Sequence, residues 1–259
     1  MNLNLADKVI LVSGGAKGIG AAIAKGLAAE HAIPIIIGRN ELDNEALVDS
    51  IRLLGLRADS IQAELSSPSQ INDIAGRIAK RYGRIDGLVN NAGVNDGVGL
   101  EKGSYLSFLD SLHKNLIHYY LLAQATLPYL KISGGSIVNI GSKTAETGQG
   151  GTSGYAAANG GRNALTREWA VELLPYNIRV NAVIVAEALT PLYHKWLESF
   201  ENPEEKLKNI VKNIPLENRM TRVEEIADMV TFLLSERSSH TTGQLIHVDG
   251  GYVHLDRGL

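Results

Sequence analysis

Two rhythms of hydrophobic residues alternate along this chain. Short runs at residues 9–12, 33–37, 59–63, 85–89, 136–140, 178–184 and 244–248, most of them continuously apolar, predict strands. Between them apolar positions recur three and four residues apart, as at Ile19, Ile23 and Leu27. That spacing predicts further helices over 41–54, 68–82, 106–130 and 155–174, and a last one ending at Ser235. Strands that are apolar along their whole length are buried on both faces, and their alternation with helices argues for parallel βαβ units. The expected fold class is α/β, a single-domain doubly wound parallel sheet with helices on both faces, spanning 1–259 without repeat, linker or low-complexity segment.

Local punctuation sharpens these boundaries. Ser67-Pro68-Ser69-Gln70 reads as a helix start with a capping serine, a first-position proline and a reciprocal glutamine, and Gly83 as its stop. Thr221-Arg222-Val223-Glu224 reads as the cap of the final helix. Residues 187–214 break the alternation with Pro191, Tyr193, Trp196, Phe200 and Pro203. An excursion at that place reads either as a substrate lid or as a plain packing subdomain.

The turn after the first strand, from Ser13 through Gly14 and Gly18 to Gly20, carries the first chemical signal. Glycines there allow positive φ, close approach of a phosphate and tight packing of helix on strand, and the helix N-terminus offers free N–H groups to an anion. The turn therefore reads as a dinucleotide pyrophosphate site. The second strand ends at Gly38-Arg39-Asn40, where an acid would bind the adenosine ribose of NAD. Two cations, Lys17 and Arg39, without an acid at the strand end favour NADP, with NAD also possible.

Composition narrows the classes. Twenty-five basic against twenty-eight acidic residues, a net charge of −3, leave no polycationic surface, so neither nucleic acid nor a membrane surface is an expected partner. There is no cysteine and no basic-then-apolar leader at Met1-Asn2-Leu3-Asn4, which fits a cytoplasmic location. The seven histidines lack metal-ligand spacing in sequence, and no metal site is expected.

Four motifs in order, the Gly14-x3-Gly18-x-Gly20 turn, Asn90-Asn91-Ala92-Gly93, Ser142 with Tyr155 thirteen residues on, and Val248-Asp249-Gly250-Gly251, resemble the short-chain dehydrogenase/reductase family over essentially the whole chain. The resemblance implies a dinucleotide-binding Rossmann fold and hydride transfer between a nicotinamide and a carbon bearing oxygen. It implies a homotetramer assembled through the helices after strands four and five, where Ile117, Leu121, Leu165 and Trp169 are interface or core, and through the C-terminal strand. It implies that Ser142 holds the substrate oxygen, that Tyr155 exchanges its proton, and that Asn115 holds a water in a proton relay. Cofactor contacts would come from Gly14, Lys17, Gly18, Ile19, Gly20, Arg39, Glu64, Leu65, Asn91, Ala92, Gly93, Tyr155, Asn159 and Thr190.

Within the family, residues 92–96, 115–120, 147–150, 186–187 and 249–257 resemble the dehydrogenases that oxidise L-fucose at the anomeric carbon to a lactone. A small-molecule sugar substrate would be held by Asn95, Ser142, Gln149, Glu187, Tyr193 and His254. The other readings are a carbonyl reductase of the 3-oxoacyl-carrier-protein type, which wants a basic docking patch, and a nucleotide-binding protein without turnover.

One position departs from the family pattern. Where a lysine is expected one helical turn after the tyrosine, this chain has Asn159. A cation about 5 Å from a phenolate contributes roughly 3 kcal/mol at an effective dielectric near 20, and asparagine contributes none of it. The open explanations are a replacement by design, a natural variant relying on the nicotinamide charge, or lost turnover. Arg162 lies two turns beyond Tyr155 and is expected to be too far along the helix to substitute. On this reading Asn159→Lys raises kcat and moves the pH optimum down.

Overall fold

The structure, a computed structural model, describes residues 2–255. Its strands are β1 (Val9–Ser13), β2 (Ile33–Gly38), β3 (Asp59–Gln62), β4 (Gly87–Asn90), β5 (Ser136–Ser142), β6 (Arg179–Val185) and β7 (Leu245–Val248). They form one sheet in the order β3-β2-β1-β4-β5-β6-β7 with every pairing parallel. The helices are α1 (Gly18–Ala29), α2 (Glu41–Arg52), α3 (Pro68–Tyr82), α4 (Tyr105–Leu112), α5 (His118–Ser133), α6 (Ser153–Glu172), α7 (Pro191–Leu197), α8 (Pro203–Val211) and α9 (Val223–Leu234).

Alternate side chains of each strand feed opposite faces. Val9 and Leu11 of β1 pack with Ile71, Ile74, Tyr119, Leu122 and Trp169 under α3, α5 and α6. Ile10 and Val12 pack with Ile23, Leu27, Ile226 and Val230 under α1 and α9. Burial on both faces explains why the strands read as continuous apolar runs. The chain winds one way from β1 to β3 and the other way from β4 to β7. The strand order thus reverses between β1 and β4, and the carboxyl ends there open a crevice.

Three local expectations need correcting. Ser67 does not cap α3: its hydroxyl pairs with that of Ser69, and Gln70 Oε1 accepts from Glu64 N at 2.8 Å instead. Pro68 still opens that helix, and Gly83 closes it at φ 73°. At α9 the cap comes from Glu225, which accepts from Arg222 N at 2.9 Å. The long helix expected over 106–130 is two helices joined by one π-helical turn, His113–Ile117, with Asn115 buried inside it. Apolar periodicity cannot reveal one extra residue in a turn, and such turns recur at functional sites.

The glycine corner is a packing requirement as well as a conformational one. A Cβ on Gly20 would lie 2.3 Å from Gly14 O and 2.7 Å from Asn91 Nδ2, whereas one on Gly76, exposed in α3, would meet nothing within 4 Å. Gly20→Ala should therefore cost about 1–3 kcal/mol in urea unfolding, while Gly76→Ala should gain about 0.5–1 kcal/mol. Equal effects of the two would contradict this assignment.

Candidate active site

At the crevice, Gly14 and Gly18 adopt φ of 62° and 55° and bring the turn against the end of β4. Ser13 Oγ accepts from Asn91 N at 2.9 Å and Ala92 N at 3.2 Å, and Asn91 Nδ2 donates to Ser13 O and Gly14 O at 3.0 and 3.1 Å. A Cβ on Gly14 would lie 2.9 Å from Ala92 Cα, and one on Gly18 3.5 Å from Thr190. Gly14, Gly18, Gly20, Asn91, Ala92 and Thr190 thus meet around one corner, with Ile19 packed on the core beneath it. Lys17 precedes α1 without a side-chain cap, so the first N–H groups of the helix are free of one. This cradle fits a dinucleotide pyrophosphate.

Beyond β2, Arg39, Asn40, Glu41, Leu42 and Gln62 line an open depression where the adenosine end of such a ligand would lie. The sequence reading of two cations without an acid needs amending here. Lys17 Nζ pairs with Asp43 at 2.6 Å, and Arg39 lies 3.7 Å from Glu64, so each cation already has a carboxylate. Asp43 escaped notice because it lies in the first turn of α2 rather than at the strand end. Leu65, next to Glu64, is buried.

Ser142 ends β5, and its Oγ accepts from Thr144 Oγ1 at 3.1 Å. Tyr155 stands in the first turn of α6. Asn159 is 0% exposed: Nδ2 donates to Tyr155 O at 2.9 Å and Oδ1 accepts from Arg162 Nη1 at 3.0 Å. Its amide therefore serves the helix and Arg162 rather than an open ribose site. Asn115 Oδ1 accepts from Val94 N at 2.7 Å, and its carbonyl accepts from Arg162 Nε at 2.6 Å. Gly93 closes over this group: a Cβ there would be 2.8 Å from Arg162 Nη2 and 3.0 Å from Asn115 Oδ1. Arg162 thus reaches back one helical turn to Asn159, and across to Asn115.

A second polar group lies beside Ser142. Lys143 Nζ forms an ion pair with Glu187, and Tyr193 Oη donates to Glu187 Oε2 at 2.7 Å. The Lys143 and Glu187 side chains are only 10% and 13% exposed. Burial first, and the Glu187 carboxylate second, hold the Tyr193 phenol well above its ordinary range. Thr221 N donates to Glu187 O at 2.9 Å, fixing the backbone of that residue. Asp249 folds the following turn by accepting from Gly251 N and Val253 N, and Tyr252 in that turn lies 4.0 Å below Lys143 Nζ. Lys143 was missed in the sequence, where the only signal was its place directly after Ser142.

Among the described residues, the other expected substrate residues form no hydrogen bond or ion pair with Lys143, Glu187 or Tyr193. Asn95 and Gln149 are exposed loop residues, and Asn95 Oδ1 merely accepts from Gly97 N. His254 joins Glu146 and His247 instead: His247 Nε2 is 3.1 Å from Glu146 Oε2, and the two imidazoles meet edge to face at 4.3 Å. These three offer ligand atoms within 4.8 Å of one another, a set able to hold a divalent cation that histidine spacing in sequence did not reveal. Asp256 and Arg257 lie outside the described residues.

Comparison with known proteins decides the family. Residues 14–253 match the family described as enoyl-(acyl carrier protein) reductase. The 3-oxoacyl-[acyl-carrier-protein] reductase FabG of Thermotoga maritima is 35% identical over 253 residues, 97% of this chain and 100% of that protein. The chain is a short-chain dehydrogenase/reductase. Such a protein is an NAD(P)-dependent oxidoreductase acting on small molecules, and the glycine cradle described above accords with that. The L-fucose dehydrogenase of Oryctolagus cuniculus is 31% identical over 247 residues, 95% of this chain and 85% of that protein, so the expected likeness is more distant than the likeness to FabG. Among solved structures, Cj0485 dehydrogenase is 45% identical with a TM-score of 0.95, covering 100% of this chain and 99% of that one. Ligand-free Thermoplasma acidophilum aldohexose dehydrogenase is 31% identical with a TM-score of 0.90, covering 99% and 98%. Among the described residues no helix is long and apolar enough to cross a membrane.

Behind the site of this oxidoreductase, His118 donates from Nε2 to Lys114 O at 2.9 Å and leaves Nδ1 buried without a partner. Burial, and then the Arg162 charge, push it down to about 4. The unfolded chain therefore binds an extra proton between about pH 4 and pH 6.5, and stability falls as pH drops through that window, by about 3 kcal/mol in all. Chemical denaturation across that range should show this slope, and His118→Gln should flatten it. An unchanged slope in the variant would show that His118 is not its source.

Proposed function

We propose that this enzyme oxidises an aldose, with L-fucose the first candidate, at its anomeric carbon to a lactone, using NADP in preference to NAD. The observation that supports this reading is the part-buried Lys143–Glu187–Tyr193 cluster immediately beyond Ser142. Charged and hydroxyl groups enclosed beside the reacting position suit a substrate carrying several hydroxyls.

The bound nicotinamide would take the hydride from the anomeric carbon. Ser142 holds the substrate oxygen, and Tyr155 as phenolate takes its proton as the C–H bond breaks, then passes that proton to solvent. Glu187 and Tyr193 orient the ring hydroxyls. Residues 187–214, with α7 and α8, form the lid over the sugar, its base tied down where Ala188 pairs with Thr221. Arg39, 78% exposed at its side chain, turns from Glu64 to the 2′-phosphate of NADP. We also propose a homotetramer joined through α5 and α6. Of the residues proposed for that contact, Ile117 is exposed, Leu121 and Leu165 are partly buried against the core, and Trp169 belongs to the core.

A second reading, reduction of a 3-oxoacyl thioester, is favoured by the 35% identity to FabG. A panel of aldoses and an acetoacetyl thioester, each with both cofactors, separates the two. The sugar reading expects NADPH formation from L-fucose or a related aldose and no thioester reduction. It further expects Glu187→Gln to raise the sugar KM about tenfold with cofactor KM unchanged. Thioester reduction without sugar oxidation, or an unchanged sugar KM in the variant, would reject it.

A further inference from the structure

We propose that Arg162 replaces the missing lysine, supplying from one helical turn further on the positive charge that stabilises the Tyr155 phenolate. The proposal rests on the reading of Tyr155 as the proton-exchanging group.

Helical side chains lean toward the N-terminus of their helix, so a long side chain at position 162 covers the turn that carries Asn159. The contacts agree with that lean. Nη1 donates to Asn159 Oδ1 and to Ile140 O at 3.0 and 3.1 Å, and Nε to Asn115 O at 2.6 Å. Asn159 in turn donates to the carbonyl of Tyr155. Residues 155, 159 and 162 form one connected row, and asparagine at the middle position is short enough to let the guanidinium lie over it. A lysine there would set a second cation against the first.

The charge has no counter-ion. Arg162 is 3% exposed, makes no ion pair among the described residues, and leaves Nη2 without a hydrogen-bond partner. Its remaining neighbours are two carbonyls, an amide and the face of Tyr119, whose ring centroid is 4.2 Å from the guanidinium carbon. An unpaired buried cation costs several kcal/mol, and a purely structural clip of the same shape could be neutral. The cost is offset if a negative charge forms nearby during the reaction, and the phenolate is that charge.

Tyr119, whose ring faces the guanidinium, couples to both groups. The Tyr119 phenol, pushed up to about 12 by burial, is held down in part by the Arg162 charge and raised by a charge on Tyr155. The other ionisable groups on the elements packed against this face of α6 are neutral, paired or hydrogen-bonded. His118 is neutral, Lys143 is paired with Glu187, Lys114 is paired with Asp110, and Asp96 accepts from Ser111 Oγ at 2.9 Å. The proposal also changes the role of Asn115, for which the family resemblance implied a relay water: its carbonyl receives the guanidinium.

Ultraviolet absorbance tests this without a substrate. The phenolate signal of Tyr155, isolated by subtracting Tyr155→Phe, should develop at least one pH unit lower in the unsubstituted protein than in Arg162→Met. Arg162→Lys, which keeps the charge, should stay near the former. The same pH in all three would overturn the proposal. If Arg162→Met fails to fold, the unsubstituted protein decides alone, because a Tyr155 signal developing only near the free-tyrosine value of about 10 overturns it equally. Where an aldose is turned over, Arg162→Met should lose about tenfold in kcat at neutral pH per unit of that shift and recover it in alkali. Asn159→Lys should give no gain, and a gain at neutral pH would count against Arg162. Absence of turnover with every aldose would sink the sugar reading and leave the absorbance result standing.

Discussion

A guanidinium buried without an anion organises the centre of this oxidoreductase. Arg162 ties three elements together: the π turn through Asn115 O, β5 through Ile140 O, and its own helix through Asn159. Polar satisfaction by carbonyls keeps the group in place, but carbonyl dipoles do not cancel a full charge in a low-dielectric interior. The surroundings are fitted to that charge: His118 is neutral behind it, Gly93 leaves room for Nη2, and the Tyr119 ring faces it.

The same logic separates the two ends of the crevice. At the glycine corner the backbone supplies N–H groups and close approach, and its shape is set by Ser13 and Asn91 holding the turn to the end of β4. At the Ser142 end, side chains from β5, the segment after β6 and the turn after β7 converge through Glu187. One end can hold a phosphate anion, and the other presents hydroxyl, ammonium and carboxylate groups to a polar molecule. Between them a buried polar chain, Asn90 to Asn139 to Thr166, fixes β4, β5 and α6 relative to one another.

Legibility in the sequence followed the range of the interactions. Seven strands, the glycine turn and the stop at Gly83 depend on neighbours a few residues away, and they were readable with errors of one or two positions. The Lys143–Glu187 pair spans 44 residues, and the Glu146–His247 contact spans 101, so neither left a local trace. The π turn was hidden because an inserted residue leaves apolar periodicity nearly intact on either side. The contacts of Arg162 with Asn115, Ile140 and Asn159 were hidden for a different reason: an arginine side chain leans toward the start of its helix, and spacing between backbone positions does not show that reach. At the adenosine end, the cations were read correctly but their partners, Asp43 and Glu64, change what they can be said to prefer.

The central claim is that Tyr155 exchanges the proton in a site whose charge comes from elsewhere than residue 159. Steady-state NADPH formation from an aldose at neutral pH, compared between the unsubstituted enzyme and Tyr155→Phe, tests it most directly. The account predicts measurable turnover in the former and a loss of about a hundredfold or more in the latter, with cofactor binding retained. Turnover equal in the two proteins, or cofactor binding without turnover at any pH, would contradict it.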